Sequence, residues 1–131
     1  MLIEGKRVLI TGASRGLGRT LAFAFADAGA REVIAGTRKE EDRNKLKTDA
    51  ANVRANITPV QLDVTSDDDV NAVAKLGTVD ILINNAGVAG YGNPLTMSFE
   101  DIRRELEVNY MERCEWRARL LRQWWSKRKE Q

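Results

Sequence analysis

Residues 11–18 read Thr-Gly-Ala-Ser-Arg-Gly-Leu-Gly, and this stretch decides how the rest of the chain is interpreted. It follows a short apolar run at residues 6–10, which predicts a buried β-strand. It leads into residues 17–28, where apolar side chains recur at helical spacing. A glycine-rich turn between a strand and a helix lets an anion approach the backbone N–H groups at the positive end of the helix. The sequence therefore predicts a phosphate-binding turn.

The three glycines of this turn have different expected roles. Gly12 permits the tight turn, Gly16 lets a pyrophosphate approach the backbone, and Gly18 allows the helix to pack closely on the strand. A glycine-rich turn without a ligand is the alternative, and the strand–turn–helix context argues against it. The other residues of the turn that we expect at the phosphate are Ser14, Arg15 and Leu17.

Strand and helix patterns alternate along the rest of the chain. Further strands are predicted at residues 33–36, 58–62 and 79–83, and helices at 39–53, 66–76 and from 98 past 109, with 127 as the furthest end. Ser66 and Ser98 each precede an aspartate by three residues, a pattern typical of a capped helix start. This alternation predicts an α/β domain with a parallel sheet of four strands and right-handed crossovers.

Composition narrows the class of protein. The 131 residues suffice for one domain, and no apolar stretch approaches the length of about 20 residues that spans a bilayer. Histidine is absent, which excludes a His-based catalytic triad, and without a cysteine cluster we expect no metal site. Cys114 is the only cysteine, so an intrachain disulfide is impossible and we expect a cytoplasmic protein.

The C-terminal segment differs from the rest of the chain. Residues 113–131 carry 7 basic and 2 acidic side chains, against 14 basic and 17 acidic in residues 1–112, and they hold all three tryptophans. Such a tail can bind nucleic acid or a membrane surface, but a helix with one solvated face has the same composition, and we expect neither partner. Trp116, Leu120 and Trp124 would form the apolar stripe of that helix.

Residues 1–111 resemble the cofactor-binding half of the short-chain dehydrogenase/reductase family. The glycine turn is similar to the family's TGxxxGxG fingerprint, and residues 84–87 are similar to its NNAG motif. The resemblance implies a Rossmann-type fold with strand order 3-2-1-4 and helices on both faces, incomplete relative to the family. Residues 112–131 form a separate, non-family tail in this interpretation, from a shifted reading frame or a natural variant terminus. The residues that the resemblance places at the cofactor, besides the turn, are Asp63, Val64, Asn85, Ala86 and Gly87.

The end of the second strand points to NADP rather than NAD. NAD-preferring Rossmann proteins place an acid there for the ribose 2′-hydroxyl, whereas an arginine nearby accepts a 2′-phosphate. Here Thr37 stands at the position of the acid and Arg38 follows it, while Arg15 is in the glycine turn. Two arginines could clamp one phosphate with charge-assisted hydrogen bonds. The alternative is that both are solvated surface residues.

Most of the family's catalytic set is absent from these residues. The chemistry that the resemblance implies uses a tyrosine with a lysine four residues later and a serine upstream. Asn109 matches the family's catalytic asparagine, but neither tyrosine of this sequence has such a lysine, since Leu95 stands four residues after Tyr91 and Cys114 four residues after Tyr110. We therefore expect a dehydrogenase fragment that binds NADP(H) without turnover. A nucleotide-binding regulatory or interaction module, and an enzyme completed by a second chain, remain open.

The sequence also predicts a homodimer through the last helix. A four-stranded sheet leaves strand 79–83 as an apolar edge, and such edges recruit other chains. The apolar residues expected to face water without a partner are Leu106, Tyr110, Leu121, Trp124 and Trp125. Folding of the tail over that strand within one chain is the alternative.

Overall fold

Four parallel strands form one sheet in the computed structural model, which describes residues 2–88, 95–111, 118–122 and 124–126. The strands are β1 (Arg7–Ile10), β2 (Glu32–Thr37), β3 (Ile57–Gln61) and β4 (Ile81–Ile83). Their order is β3-β2-β1-β4, and every neighbouring pair is parallel. The predicted Rossmann-type order 3-2-1-4 is confirmed.

Within the described residues, four α-helices connect and follow these strands, besides the helical residues 118–122 and 124–126. They are α1 (Gly16–Asp27), α2 (Glu40–Asn52), α3 (Asp67–Ala74) and α4 (Phe99–Leu106). Both predicted serine caps form, since Ser66 Oγ accepts from the N–H of Asp69 at 3.3 Å and Ser98 Oγ accepts from that of Asp101 at 3.1 Å. None of the helices in the described part of the chain is long and apolar enough to cross a membrane.

Apolar side chains cover both faces of the sheet. On one face, alternate residues of β1 and β2 pack against Ala22 of α1 and Leu46 of α2. On the other face, Leu9 and Ile34 pack with α3 and with two residues of the C-terminal segment. The expectation of helices on both faces is confirmed, and the alternation of a buried strand explains it: successive side chains point to opposite layers.

The C-terminal segment belongs partly to this core. Residues 118–122 and 124–126 are helical, and within them Leu120 is 0% and Trp124 is 7% exposed. The expectation that Trp124 faces water is wrong, because its ring joins the core cluster on the α3 side of the sheet. Arg119 Nη1 also lies 2.6 Å from Asp67 Oδ1, at the start of α3. Trp116, the first residue of the predicted stripe, lies outside the described residues.

The helix that begins at Phe99 changes its geometry before Asn109. A continuous α-helix was expected there, but α4 ends at Leu106 and Glu107–Met111 form a π-helical turn. The wider turn lets two neighbouring residues reach different targets: Val108 packs against the core, and the side chain of Asn109 bonds to the backbone of Val88. Such turns inside helices often accompany functional sites.

Candidate functional site

A cleft of about 730 Å³ lies at the carboxyl ends of the strands, where the connecting turns meet. Parallel α/β sheets bind ligands at this edge. Twelve of the thirteen predicted cofactor residues line it: Gly12, Ser14, Arg15, Gly16, Leu17, Thr37, Arg38, Asp63, Val64, Asn85, Ala86 and Gly87. Gly18 and Asn109 do not line the cleft themselves. Gly18 packs against the lining residues Gly12 and Asn85, and Asn109 forms hydrogen bonds to the lining residue Val88.

Hydrogen bonds between Thr11 and Asn85 fix the floor of the cleft. The Thr11 hydroxyl is buried and accepts from the backbone N–H of Asn85 at 3.0 Å and of Ala86 at 2.9 Å. The Asn85 side-chain Nδ2 donates to the carbonyl oxygens of Thr11 at 3.1 Å and Gly12 at 2.9 Å. The turns that follow β1 and β4 are therefore joined by four direct bonds, and neither can shift alone.

Close packing requires glycine at two points of the first turn. Gly12 has φ +65°, and a Cβ there would lie 2.8 Å from Ala86 Cα. A Cβ on Gly18 would meet the Gly12 carbonyl oxygen and Asn85 Nδ2 at impossibly short range. At Gly16, by contrast, a Cβ would meet nothing within 4 Å, because this residue faces the open cleft. Gly18 thus allows α1 to pack closely against Gly12 and Asn85, whereas Gly16 leaves the cleft open to a ligand.

The N-terminus of α1 is open to a ligand. Its N-cap residue, Arg15, makes no side-chain hydrogen bond to the helix, and the first turn contains no acid. The starts of α3 and α4 differ, since each has a serine cap and acidic residues in its first turn. Uncapped N–H groups at a helix start need hydrogen-bond acceptors, and an anion satisfies them.

One end of the cleft is basic. Arg15, Arg38 and Lys39 line it and are exposed, and Asp42 lies on the same side. Between them Thr37 is only 1% exposed, and its hydroxyl oxygen has no hydrogen-bond partner among the described residues. A buried hydroxyl without a partner costs about 1–3 kcal/mol, so an acceptor or donor supplied by a ligand would recover this energy.

The wall after β3 is held by the residues around Asp63. The backbone N–H of Asp63 donates to Asp69 Oδ2 at 2.8 Å. Its own Oδ1 accepts from the backbone N–H of Thr65 at 2.9 Å and from the Thr65 hydroxyl at 2.7 Å. Leu62 and Val64 are buried beside it, so this wall offers an apolar surface with one carboxylate.

The family model of the short chain dehydrogenases matches residues 6–130. The chain belongs to the short-chain dehydrogenase family. The matched range includes residues 112–130, which the composition predicts to be a separate, non-family tail.

Individual short-chain dehydrogenases resemble the chain over most of its length. The 7α-hydroxysteroid dehydrogenase of Escherichia coli K12 is 36% identical over 112 residues, covering 82% of this chain and 43% of the enzyme. A gluconate 5-dehydrogenase from Burkholderia cenocepacia, solved with NADP and tartrate, is 31% identical with a TM-score of 0.73, covering 83% of this chain and 44% of that one.

A 7α-hydroxysteroid dehydrogenase solved with NADH and 7-oxo glycochenodeoxycholic acid is similar as well. It is 32% identical with a TM-score of 0.78, covering 90% of this chain and 47% of that one. The chain therefore spans about half the length of the short-chain dehydrogenases it matches.

Asn109, the residue matched to the family's catalytic asparagine, braces the cleft. Its Oδ1 accepts from the backbone N–H of Val88 at 3.0 Å, and its Nδ2 donates to the carbonyl oxygen of Val88 at 2.5 Å. Both polar atoms of the side chain are thus engaged with one backbone segment. Asn109 therefore ties the helical segment that ends at Met111 to the loop after β4.

Sequence reasoning missed several residues of the cleft. The fingerprint contains Thr11 but assigns no role to it, although a hydroxyl at the end of a buried strand needs hydrogen-bond partners. The helical spacing of Arg104, Glu107 and Val108 could have indicated one shared face, but only the fold shows that this face borders the cleft. The remaining lining residues that were not predicted are Lys39, Asp42, Leu62, Thr65 and Val88.

Proposed function

We propose that this short-chain dehydrogenase chain binds NADP(H) in the cleft. The pyrophosphate would lie against the N-terminus of α1, and the adenosine end would lie between Asp63 and the basic end of the cleft. When bound, the nicotinamide would supply hydride transfer. The open helix start and the space in front of Gly16 support this placement.

The Thr37 hydroxyl carries the preference for NADP over NAD. It is buried at the end of β2, unpartnered among the described residues, and bordered by Arg38. A 2′-phosphate oxygen would accept a hydrogen bond from this hydroxyl, and the guanidinium groups of Arg15 and Arg38 would balance the added charge. No acid occupies this strand end, so a free ribose 2′-hydroxyl would lack its usual acceptor.

The relatives themselves do not agree on the cofactor. One solved relative contains NADP and another contains NADH. Asp42 also lines the basic end and opposes a second negative charge there. The choice therefore depends on Thr37 and the two arginines, and the test must address those side chains directly.

Calorimetric titration with NADPH and NADH tests the proposal. Arg38→Gln should weaken NADPH about tenfold or more, because a charged hydrogen bond contributes roughly 1.5–3 kcal/mol. Thr37→Val keeps nearly the same shape and should weaken NADPH several-fold while leaving the stability of the free chain unchanged or higher. Arg122→Gln, an exposed change away from the cleft, is the control. Equal affinity of the wild-type chain for both cofactors would overturn the 2′-phosphate site.

We also propose that these 131 residues bind the cofactor without turning over alcohols or carbonyl substrates. No Tyr-x-x-x-Lys pair occurs in the sequence, and a positioned proton donor is worth about 10²–10⁴ in rate. NADPH absorbance followed against a broad carbonyl panel checks this. Steady oxidation that is lost in Asn109→Ala would contradict it.

Self-association through α4 is the third part of the proposal. Phe99, Ile102, Leu106 and Tyr110 form an exposed apolar stripe, and α4 buries none of its residues. An antiparallel copy related by a two-fold axis would cover this stripe with its own. Light scattering should give twice the monomer mass for the wild type. Leu106→Glu should give a monomer, and an unchanged wild-type mass of 14.7 kDa would refute the dimer.

A further inference from the structure

The helical segment that ends at Met111 presents two different faces. Arg104, Glu107 and Val108 line the cleft, at the spacing of one helical face. None of the residues of the apolar stripe described above lines it. Arg103, the neighbour of Arg104, is exposed and does not line the cleft. Two adjacent arginines of α4 therefore have different surroundings.

The cleft-lining face is fixed to the rest of the molecule just after Arg104. Val108, one turn later, packs against the core cluster that contains Leu62 and Val64. Asn109 makes its two hydrogen bonds to Val88. Because both anchors lie within about one turn, Arg104 is held beside the cleft rather than on a free helix end.

The cleft wall at residues 62–65, whose Leu62 and Val64 belong to the cluster that Val108 contacts, suits a planar base. Residues 62–65 contribute the buried side chains of Leu62 and Val64 and the carboxylate of Asp63. The Oδ1 of Asp63 is already occupied by Thr65, whereas its Oδ2 has no hydrogen bond among the described residues. A base with an exocyclic amino group could rest on the apolar side chains and donate to that oxygen.

We propose that Arg104 is a specificity-determining residue that contacts the purine base of the dinucleotide from the α4 side. This inference rests on the proposed function, since it assumes that the adenosine end occupies this part of the cleft. The guanidinium group is planar and packs well on aromatic faces. It makes no ion pair within the described part of the chain, so no protein carboxylate has to be displaced. The phosphates would be bound separately, by the N-terminus of α1 together with Arg15 and Arg38.

Three variants and three ligands test the contact without any turnover. The variants are Arg104→Gln, Arg104→Lys and the matched control Arg103→Gln, whose folding and mass are first shown to equal those of the wild type. The ligands are NADPH, adenosine 2′,5′-bisphosphate, which keeps the base, and reduced nicotinamide mononucleotide, which lacks it. Dissociation constants are measured by calorimetry at low and high salt.

Arg104→Gln should weaken NADPH and the bisphosphate about fivefold, as expected for a cation–π contact at a partly exposed site. The mononucleotide should be unaffected, and Arg103→Gln should match the wild type within twofold. Arg104→Lys should remain as weak as the glutamine variant, because the planar group is lost. Full recovery by lysine, with a loss that vanishes at high salt, would assign Arg104 to a phosphate and overturn the base contact.

Equal affinities of Arg104→Gln and Arg103→Gln for the bisphosphate would also overturn it. If the wild-type chain binds neither NADPH nor the bisphosphate, the proposed function fails first, and that outcome differs from a failure confined to Arg104.

Discussion

The glycine turn and α4 both line one cleft, but they are held in place in different ways. The turn follows β1, whose Val8, Leu9 and Ile10 are all 0% exposed, and four hydrogen bonds join it to the loop after β4. Helix α4 has no buried residue of its own. The glycine-turn side is therefore defined by the core, whereas the α4 side depends on the few contacts of Val108 and Asn109.

The C-terminal part of the chain also contains both core residues and exposed residues. Leu120 and Trp124 return to the core, while Leu121 and Trp125 are 48% and 64% exposed. Distance along the sequence thus does not decide which residues are structural.

The largest expected effect is at Leu120. Replacing it by alanine removes a fully buried side chain from the cluster of β1 and α3, and such changes cost about 2–5 kcal/mol. Leu121→Ala, at the adjacent exposed position, should cost less than about 1 kcal/mol. Urea unfolding followed by tryptophan fluorescence measures both. Similar midpoints for the two variants would mean that residues 118–126 are not part of the core.

The next effect concerns the glycine turn. Gly18→Ala places a Cβ against the Gly12 carbonyl oxygen and Asn85 Nδ2, and overpacking of this kind costs about 1–3 kcal/mol. Dinucleotide affinity should fall as well, since the turn must move. Gly5→Ala is the matched control: it has φ +71° but meets nothing within 4 Å, so only backbone strain of about 1–2 kcal/mol is added.

Binding separates the two glycine variants more sharply than stability does. Gly5 lies before β1 and outside the cleft, so Gly5→Ala should leave the dissociation constant unchanged. If Gly18→Ala binds the dinucleotide as tightly as Gly5→Ala, the close packing behind the turn is not what shapes the phosphate site.

A smaller and local effect is expected at Asn109. Asn109→Ala removes both bonds to Val88, each worth about 0.5–1.5 kcal/mol. Because α4 has few other contacts, its amides should exchange with solvent roughly tenfold faster, while those of β1 should not change. Hydrogen exchange resolved by residue measures this. A uniform acceleration across the sheet and α4 would show that the two regions unfold as one unit.

The sequence predicted the sheet side well because its signals are local. The alternating strands and the caps at Ser66 and Ser98 each depend on residues close in sequence, and both were found as expected. The burial of Trp124 and the π-helical turn at Asn109 depend on contacts with residues far away in the chain. Val88 lies 21 positions from Asn109, and nothing in either segment alone indicates the pair. The cleft face of α4 was missed for the same reason.

The smallest effect is expected at the amino ends of the strands, away from the cleft, where Glu32 begins β2. Burial acts to raise the pKa of Glu32, but hydrogen bonds from Arg7 and Thr58 and the positive charge of Arg7 and Arg31 outweigh it and hold the pKa below its usual 4.5. Folding therefore favours the charged carboxylate. The stabilisation is complete above the unfolded value and is lost as the pH falls through the lower, folded value.

Glu32→Gln should remove this pH dependence. Arg7 also donates to the carbonyl oxygens of Leu76 and Thr78, so its side chain stays in place when the carboxylate is lost. Since the ion pair at 2.6 Å is partly exposed, we expect it to contribute no more than about 1 kcal/mol near neutral pH. Urea midpoints measured from pH 7 to pH 3 should fall more steeply for the wild type than for Glu32→Gln. NADPH affinity at pH 7 should be the same for both, because the pair lies outside the cleft. Parallel pH profiles would show that folding does not favour the charged carboxylate of Glu32. A change in NADPH affinity would show that the amino ends of the strands are coupled to the cleft at their carboxyl ends.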